Sequence, residues 1–201
     1  NFIKRWKARV GEAEATRIKN HSASRGTAMH KFLEHHVLGT GYEDLTLIGN
    51  EARPMANKII EVGLTPVAEY YGSEVMLHYP GLYAGSTDLI CLHNSKETVV
   101  DFKQSNRPKK KEWIEDYYLQ ISAYAMAHDY VYGSKIQQGV IMVCTPDLYY
   151  QEFKVEGLEL RKYKHKFLKR LDMYNELIHD EKERAKVDPD KLLKEFEKDK
   201  S

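Results

Sequence analysis

The stretch from residue 85 to residue 103, GSTDLICLHNSKETVVDFK, predicts a β-hairpin in which each strand carries one aspartate. If the turn is centred on Asn94 and Ser95, antiparallel pairing places Asp88 directly across from Asp101. Directly opposed Cβ atoms lie roughly 4.5–5.5 Å apart, and like charges at that separation are destabilising. We therefore expect a cation to lie between the two carboxylates.

Lys103 adds an ammonium group to the same face of the hairpin as Asp101, because side chains alternate along a strand. Two carboxylates and one ammonium are the groups needed for metal-assisted attack on a phosphate. Oxygen ligands of this type favour Mg²⁺ or Mn²⁺, as one or two ions. The alternatives are a plain Asp101–Lys103 ion pair and an Asp88 that only forms a turn or meets solvent.

The composition predicts one globular domain. The 201 residues are 42% hydrophobic and 30% charged, which is typical of a folded protein large enough to bury a core. The net charge of +1 does not by itself indicate a nucleic-acid partner. Within a single domain 1–201 we expect a helical N-terminal part at 1–64, a sheet core at 67–155 and C-terminal helices at 157–199.

Apolar periodicity and turn residues predict an α/β (α+β) fold with a central mixed sheet flanked by helices. The predicted helices are 2–20, 24–37 with Ser24 as its cap, 51–63, 111–132, 157–184 and 189–199. The predicted strands are 67–79, 82–92, 97–103, 136–144 and 148–155.

A basic loop follows the hairpin directly. Five cations and no acid occur between residues 103 and 111: Lys103, Arg107, Lys109, Lys110 and Lys111. We expect this loop to bind backbone phosphates, although such runs are also typical of a solvated face. A second basic stretch at 161–170 is equally consistent with a solvated face.

Cysteine use and hydropathy limit the compartment. Cys91 and Cys144 lie in apolar strand-like runs without CxxC spacing, so we expect buried thiols in a reducing compartment rather than a disulfide or a metal site. No apolar run approaches the ~18 residues of a membrane span, and no secretory signal pattern opens the sequence. We expect an intracellular protein with no membrane partner.

Two predicted helices carry polar pairs at i, i+4 spacing. His30 and Glu34 share one helix face, and Gln120 and Tyr124 share another. Each pair is also consistent with ordinary helix packing. Small residues at 26–27 favour close approach of the first helix to a site, and aromatic rings such as Tyr124 can stack on bases.

Four motifs occur in order along the chain: GTAMHKFLE at 26–34, GSTD at 85–88, DFK at 101–103 and QISAY at 120–124. Together they resemble the motifs of the RecB-type branch of the PD-(D/E)xK nuclease superfamily. FIKRWKAR at 2–9 and LHYPGL at 77–82 are similar to the mitochondrial genome maintenance exonucleases and their phage and bacterial relatives. The resemblance covers roughly residues 2–145.

The resemblance implies a restriction-endonuclease-like core that cuts DNA with the help of divalent metal. Asp88 and Asp101 would bind the metal together with His30 and the main-chain carbonyl of Phe102. Lys103 would orient or activate the attacking water and stabilise the charged transition state. Mg²⁺ or Mn²⁺ is the implied cofactor.

Supporting residues carry over in the same way. Glu34 matches the acidic residue after the family histidine, while Gln120 and Tyr124 match the helix motif that supports the site and contacts DNA. The family usually has Thr or Ser directly after the lysine, whereas this chain has Gln104 and then Ser105, which affects a local phosphate contact. Two cysteines cannot hold the iron–sulfur cluster of some relatives, so we predict none.

The expected function is exonuclease action on single-stranded DNA or DNA ends in replication, recombination or repair, with exonuclease action resting mainly on the resemblance. The expected protein is a monomer in bacterial or phage-infected host cytoplasm, with the mitochondrial matrix as the alternative. Two other functions stay open: a DNA-binding module that no longer cuts, and a structure-specific endonuclease on the same core.

Overall fold

Residues 2–185 are described by the computed structural model of the chain. The residues up to Lys164 form one compact unit, which contains the whole sheet, and the residues from His165 form another. The helices are α1 (Phe2–Val10), α2 (Glu12–Val37), α3 (Leu47–Lys58), α4 (Glu115–Tyr132) and α5 (Gly157–Ala185). The strands are β1 (Val67–Tyr79), β2 (Tyr83–His93), β3 (Lys96–Gln104), β4 (Gln138–Cys144) and β5 (Tyr150–Glu156). The helix predicted at 189–199 lies outside the described residues.

The five strands form one mixed sheet in the order β1-β2-β3-β4-β5. β3 and β4 are parallel and joined through α4, while the other neighbours are antiparallel. Every residue of β4 is buried, as expected for an apolar strand covered on both faces. The predicted α/β fold, with a mixed sheet flanked by helices, is confirmed.

The hairpin of β2 and β3 has the register predicted from its turn. Asn94 and Ser95 have φ angles of 48° and 62°, which suit a two-residue turn with the twist of the flanking strands. Pairing runs from His93↔Lys96 to Leu89↔Val100 and stops there. Asp88 therefore lies one step beyond the last pair, where the two strands diverge.

Hydrophobic residues cover both faces of the sheet, in two clusters. One cluster joins α2 and α3 to alternate strand residues and includes Met29, Leu33, Met55, Leu89, Val100 and Met142. The other joins α4 to the intervening strand residues and includes Ile90, Val99, Tyr118, Ile121, Ile141 and Val143. Because β3 alternates, Asp101 and Lys103 lie on the same face as Val99, towards α4.

The N-terminal helices differ from the prediction. α1 ends at Val10, and α2 runs without a break from Glu12 past Ser24, the expected cap. Gly11 has a φ of 86°, a conformation that glycine adopts without a steric penalty, and this interrupts the helix ten residues earlier than predicted. The helix continues past Ser24 and Gly26 because the buried residues from Ala15 to Leu33 favour one continuous packed helix.

Two other helix starts were misplaced. α3 begins at Leu47 rather than residue 51, since the Thr46 hydroxyl accepts a hydrogen bond from the Gly49 N–H at 3.0 Å and caps the helix. α4 begins at Glu115 after a short 3₁₀ turn at Lys111–Trp113. Its end at Gly133, with a φ of 64°, is where the sequence predicted it.

Both cysteines are buried free thiols, and burial raises the pKa of Cys91 to about 12 and that of Cys144 to about 11. Among the described residues, no helix combines the length and apolar character required to cross a membrane.

Candidate active site

Asp88 is fixed at the point where β2 and β3 diverge. Its Oδ2 accepts a hydrogen bond from the Phe102 backbone N–H at 2.6 Å, a donor that β2 no longer pairs. The side chain is 13% exposed, so one carboxylate oxygen is anchored while Oδ1 faces His30. This anchoring holds Asp88 next to β3 despite the charge of Asp101.

Asp101 forms a buried ion pair with Lys103. The Lys103 ammonium lies 2.8 Å from Oδ1 and 2.6 Å from Oδ2, and Asp101 is only 2% exposed. Burial raises the pKa of Asp101 to about 6 against the opposing effect of Lys103, and the charge of Asp88 raises it further. Oδ2 is in contact with the ammonium as an ion pair, and the hydrogen bond from Lys103 goes to Oδ1.

Lys103 is held from the other side by α4. Its ammonium donates to Gln120 Oε1 at 3.3 Å and lies 5.2 Å from the centre of the Tyr117 ring. Gln120 in turn donates to the Tyr124 hydroxyl at 2.9 Å. Burial alone would lower the pKa of Lys103, but Asp101 outweighs it and the net shift is upward. The group therefore stays a cation at neutral pH.

His30 reaches the same place from α2. Its Nε2 donates to the Phe102 carbonyl at 2.9 Å, and its Nδ1 lies 3.3 Å from Asp88 Oδ1. Burial lowers the pKa of His30, yet the hydrogen bond and charge of Asp88 raise it more, so the net direction is upward. Close approach of α2 is helped by Gly26, which packs against the Gln104 side chain.

Glu74 is a site residue that the sequence prediction missed. It lies on β1 between the pairs Ser73↔Leu89 and Val75↔Thr87, which places it opposite Asp88. Ligand atoms of Glu74, His30 and Asp88 all lie within 4.8 Å of one another. The same turn-based pairing that predicted the Asp88–Asp101 juxtaposition, applied to the turn around Gly81, would have found it.

A cavity of about 440 Å³ lies beside this cluster of candidate ligands. Glu34 lines this cavity, together with His30, Glu74, Phe102, Lys103 and Gln104. The carboxylates and the main-chain carbonyl are oxygen ligands that suit Mg²⁺ or Mn²⁺. Asp101 Oδ2 lies 2.6 Å from the Lys103 ammonium and accepts no hydrogen bond there.

The cationic side chains of the basic loop after β3 have different partners. Arg107 and Lys109 line a second cavity. Lys110 lies 5.3 Å from the centre of the Trp113 ring, and Lys111 forms a 2.9 Å ion pair with Glu159. The structure therefore brings two of the four loop cations that follow Lys103 into one concave surface.

Gln104 and Ser105 take part in internal hydrogen bonds. Gln104 Oε1 accepts two bonds from the guanidinium of Arg25, at 3.2 and 3.1 Å, and Ser105 Oγ donates to the Arg107 carbonyl at 2.6 Å. Arg25 is only 6% exposed and also pairs with Glu51 at 3.3 Å. The sequence did not indicate Arg25, because a buried arginine within a helix has no local signature.

Comparisons with known proteins agree with the resemblance. The chain is 32% identical over 189 residues to mitochondrial genome maintenance exonuclease 1 of Mus musculus, which is 87% of the chain and 54% of that protein. For the protein of the same name in Xenopus tropicalis the identity is 28% over 160 residues, 73% of the chain and 44% of that protein. The chain thus spans about half the length of these relatives. No protein-family model matches it.

A structural neighbour supports the fold. A protein from Eubacterium rectale, provisionally assigned as an exonuclease, has a crystal structure that superposes with a TM-score of 0.52 and 14% identity. The match covers 82% of the chain and 69% of the neighbour. At this identity the likeness is one of fold. With the sequence similarity above, the predicted resemblance to the mitochondrial genome maintenance exonucleases is confirmed.

Proposed function

We propose that the protein is a divalent-metal-dependent deoxyribonuclease of the PD-(D/E)xK type that hydrolyses single-stranded DNA, or DNA from its ends, in replication, recombination or repair. The observation that carries this proposal is the buried Asp101–Lys103 pair beside Asp88 and His30 at the edge of one cavity. The similarity to two proteins named as exonucleases supports digestion from an end rather than internal cutting.

Asp88, Asp101, His30 and the Phe102 carbonyl would hold Mg²⁺ or Mn²⁺, and Glu74 would complete the set. When bound, such an ion supplies positive charge that favours ionisation of a nearby water and offsets the charge that develops on the phosphate. The Asp88 carboxylate is anchored on a backbone N–H, and Asp101 is buried, which would keep bulk water away from Asp101.

Lys103 would act as a hydrogen-bond donor and a fixed positive charge. Its raised pKa keeps the ammonium protonated at neutral pH, so it is not suited to be the general base. One N–H is used by Asp101 and one by Gln120, which leaves the third for the attacking water or a phosphate oxygen. Tyr124 and Tyr117 support this orientation from α4.

DNA binding would come from backbone phosphates contacted by Arg107 and Lys109, with Lys110 and Lys111 adding charge nearby. Such contacts are largely independent of sequence and weaken with salt. Gln120 and Tyr124 would contact the strand from the side of α4. All the proposed catalytic residues lie in the unit that ends at Lys164.

The names of the relatives favour the mitochondrial matrix as the place of action, with bacterial or phage-infected host cytoplasm as the alternative. We propose that a monomer suffices, since every proposed catalytic group comes from one copy of the chain.

Nuclease assays on labelled DNA test the proposal. With Mg²⁺ or Mn²⁺, the purified chain should degrade a linear single strand carrying a 5′ or 3′ label and should spare the same strand circularised. Lys103→Met should abolish degradation. Lys96→Met is the matched control, because Lys96 is also an ion-paired lysine on β3 but lies at the opposite end, paired with Glu156.

The other outcomes are equally informative. Degradation of the circle would show an endonuclease on the same core. Binding without degradation under every metal tested would show a DNA-binding module and would contradict the proposal. The two end labels also determine the polarity of digestion.

A further inference from the structure

A second cavity of about 500 Å³ lies between α1 and the loop that follows β3. Trp6 and Arg9 of α1 line one side, and Asn106, Arg107 and Lys109 of the loop line another. The 440 Å³ cavity beside His30, where catalysis is proposed, is lined in part by acidic side chains. The second cavity carries three cations and, among the described lining residues, no acid.

Gln104 lines both cavities, so they lie side by side. The Gln104 side chain is fixed by the two hydrogen bonds from buried Arg25, which also donates to Asn106 on the loop. The boundary between the cavities is therefore held in place by a polar network rather than by a mobile surface side chain. A DNA strand that continued from the catalytic site beyond Gln104 would meet the cationic cavity next.

The lining of the second cavity matches the chemistry of an unpaired nucleotide. Arg9, Arg107 and Lys109 provide cations for backbone phosphates. Trp6 is half-buried and supplies a flat indole surface on which any base can stack. A base inside a duplex has no free face to offer, so this combination favours single-stranded DNA over duplex.

We propose that the cavity between Trp6, Arg9, Arg107 and Lys109 binds single-stranded DNA next to the phosphate that is cut, with one base stacked on Trp6. This assignment rests on the proposed nuclease function, since it takes the strand to continue from the active site. Trp6 and Arg9 are thereby substrate-binding residues, and Arg25 is a positioning residue for the cavity wall.

Tryptophan fluorescence tests the stacking, because the chain has only two tryptophans, Trp6 and Trp113. The Trp113→Phe variant leaves Trp6 as the single emitter, and Trp6→Phe leaves Trp113, which is 66% exposed and does not line the cavity. Each variant is titrated with linear single-stranded oligothymidylate in EDTA, so that the strand is not cut. Binding is followed independently by anisotropy of a labelled oligonucleotide.

Quenching of Trp6 in proportion to binding, with little change at Trp113, is the expected result. Trp6→Ala should weaken single-strand binding by about tenfold, in line with the loss of one stacked base, while Trp6→Phe restores most of it. Unchanged Trp6 emission with binding confirmed by anisotropy would overturn the proposed cavity and leave the nuclease function standing. Absence of both binding and metal-dependent cutting would instead overturn the function.

Salt dependence tests the phosphate contacts. Arg9→Met should reduce the slope of log affinity against log salt by about 0.7, the value for one phosphate contact on a single strand. Arg5→Met is the matched control, since Arg5 is an exposed arginine on the same helix that does not line the cavity. Equal slopes for the two variants would contradict the assignment of Arg9. Circular dichroism checks that Arg9→Met is as fully folded as the unmodified chain.

Discussion

The residues that matter most in this chain form a row across three strands. Glu74, Asp88 and Asp101 occupy neighbouring positions on β1, β2 and β3, and their charges are kept close by a backbone N–H, an imidazole and an ammonium. Such an arrangement costs folding free energy unless a cation is bound. If these residues bind metal as proposed, metal affinity is coupled to the stability of the fold.

Glu74→Gln should weaken Mn²⁺ binding by about tenfold, because the change removes one anionic donor from the group formed with His30 and Asp88. The measurement is a titration of free Mn²⁺ by electron paramagnetic resonance. A thermal-shift titration should show the same loss, since ligand binding stabilises the folded state.

Glu69→Gln is the matched control, because Glu69 is an exposed glutamate on the same strand. Equal Mn²⁺ affinities for the two variants would exclude Glu74 as a ligand.

Gly85→Ala should lower nuclease activity by about ten- to a hundredfold through displacement of Tyr124. A Cβ at residue 85 would lie 2.9 Å from Tyr124 Cε1, so the ring must move, and Gln120 and Lys103 follow through their hydrogen bonds. The rate constant at saturating DNA is the quantity to measure. Gly41→Ala, at a glycine with open space around it, should leave the rate unchanged.

The sequence predicted some of these residues better than others. Asp88, Asp101, Lys103, His30 and Gln120 lie together as their motifs implied, although their roles in catalysis stay predictions. Glu74 and Arg25 were missed for different reasons. Finding Glu74 required the register of a second hairpin, and Arg25 becomes notable only when the loop at Asn106 folds back on α2.

At the scale of elements, α4 and β4 approach each other closely at Gly139. A Cβ there would lie 2.0 Å from Ile121 Cγ2, a distance that no packing adjustment of a few tenths of an ångström relieves. Gly139→Ala should therefore reduce the free energy of unfolding by about 1–3 kcal/mol, measured by urea denaturation.

A double-mutant cycle identifies the contact responsible. Ile121→Ala removes the clashing methyl group, so the double variant should be more stable than the sum of the two single effects predicts. Strict additivity would show that the strain arises elsewhere.

Helices and strands differed in how well the sequence predicted them. All five strands lie within a few residues of their predicted bounds. Turn residues mark these bounds in the sequence: Asn94 follows β2, and Gly133 ends α4, which precedes β4. The break between α1 and α2 was misplaced, since Gly11 resembles any surface glycine and only its φ of 86° reveals a helix end. Helix boundaries here depend on tertiary packing more than on local propensity.

At the scale of the whole molecule, stability should depend on pH through His93, which is fully buried at the end of β2. Burial lowers its pKa below the usual value of about 6.5, so the unfolded chain takes up the proton first as the pH falls. The contribution of His93 to stability is present above about pH 6.5 and is lost below it, by at most about 1.4 kcal/mol per pH unit.

His93→Gln removes this titration. Urea denaturation at pH 7.5 and 5.5 should show a steeper loss of stability for the unmodified chain than for the variant. His36→Gln, at an exposed position, should retain the loss. Parallel pH dependence for His93→Gln and the unmodified chain would contradict the burial of a neutral imidazole.

The residues proposed to bind metal come from distant parts of the chain, which affects how folding depends on metal. His30 meets Phe102 across 72 residues, so the β2–β3 hairpin alone holds only part of the site. Contacts this distant in sequence form late, because loop closure precedes any gain from them. A divalent ion should consequently leave the refolding rate almost unchanged and slow unfolding, which makes metal supply a determinant of the lifetime of the folded protein.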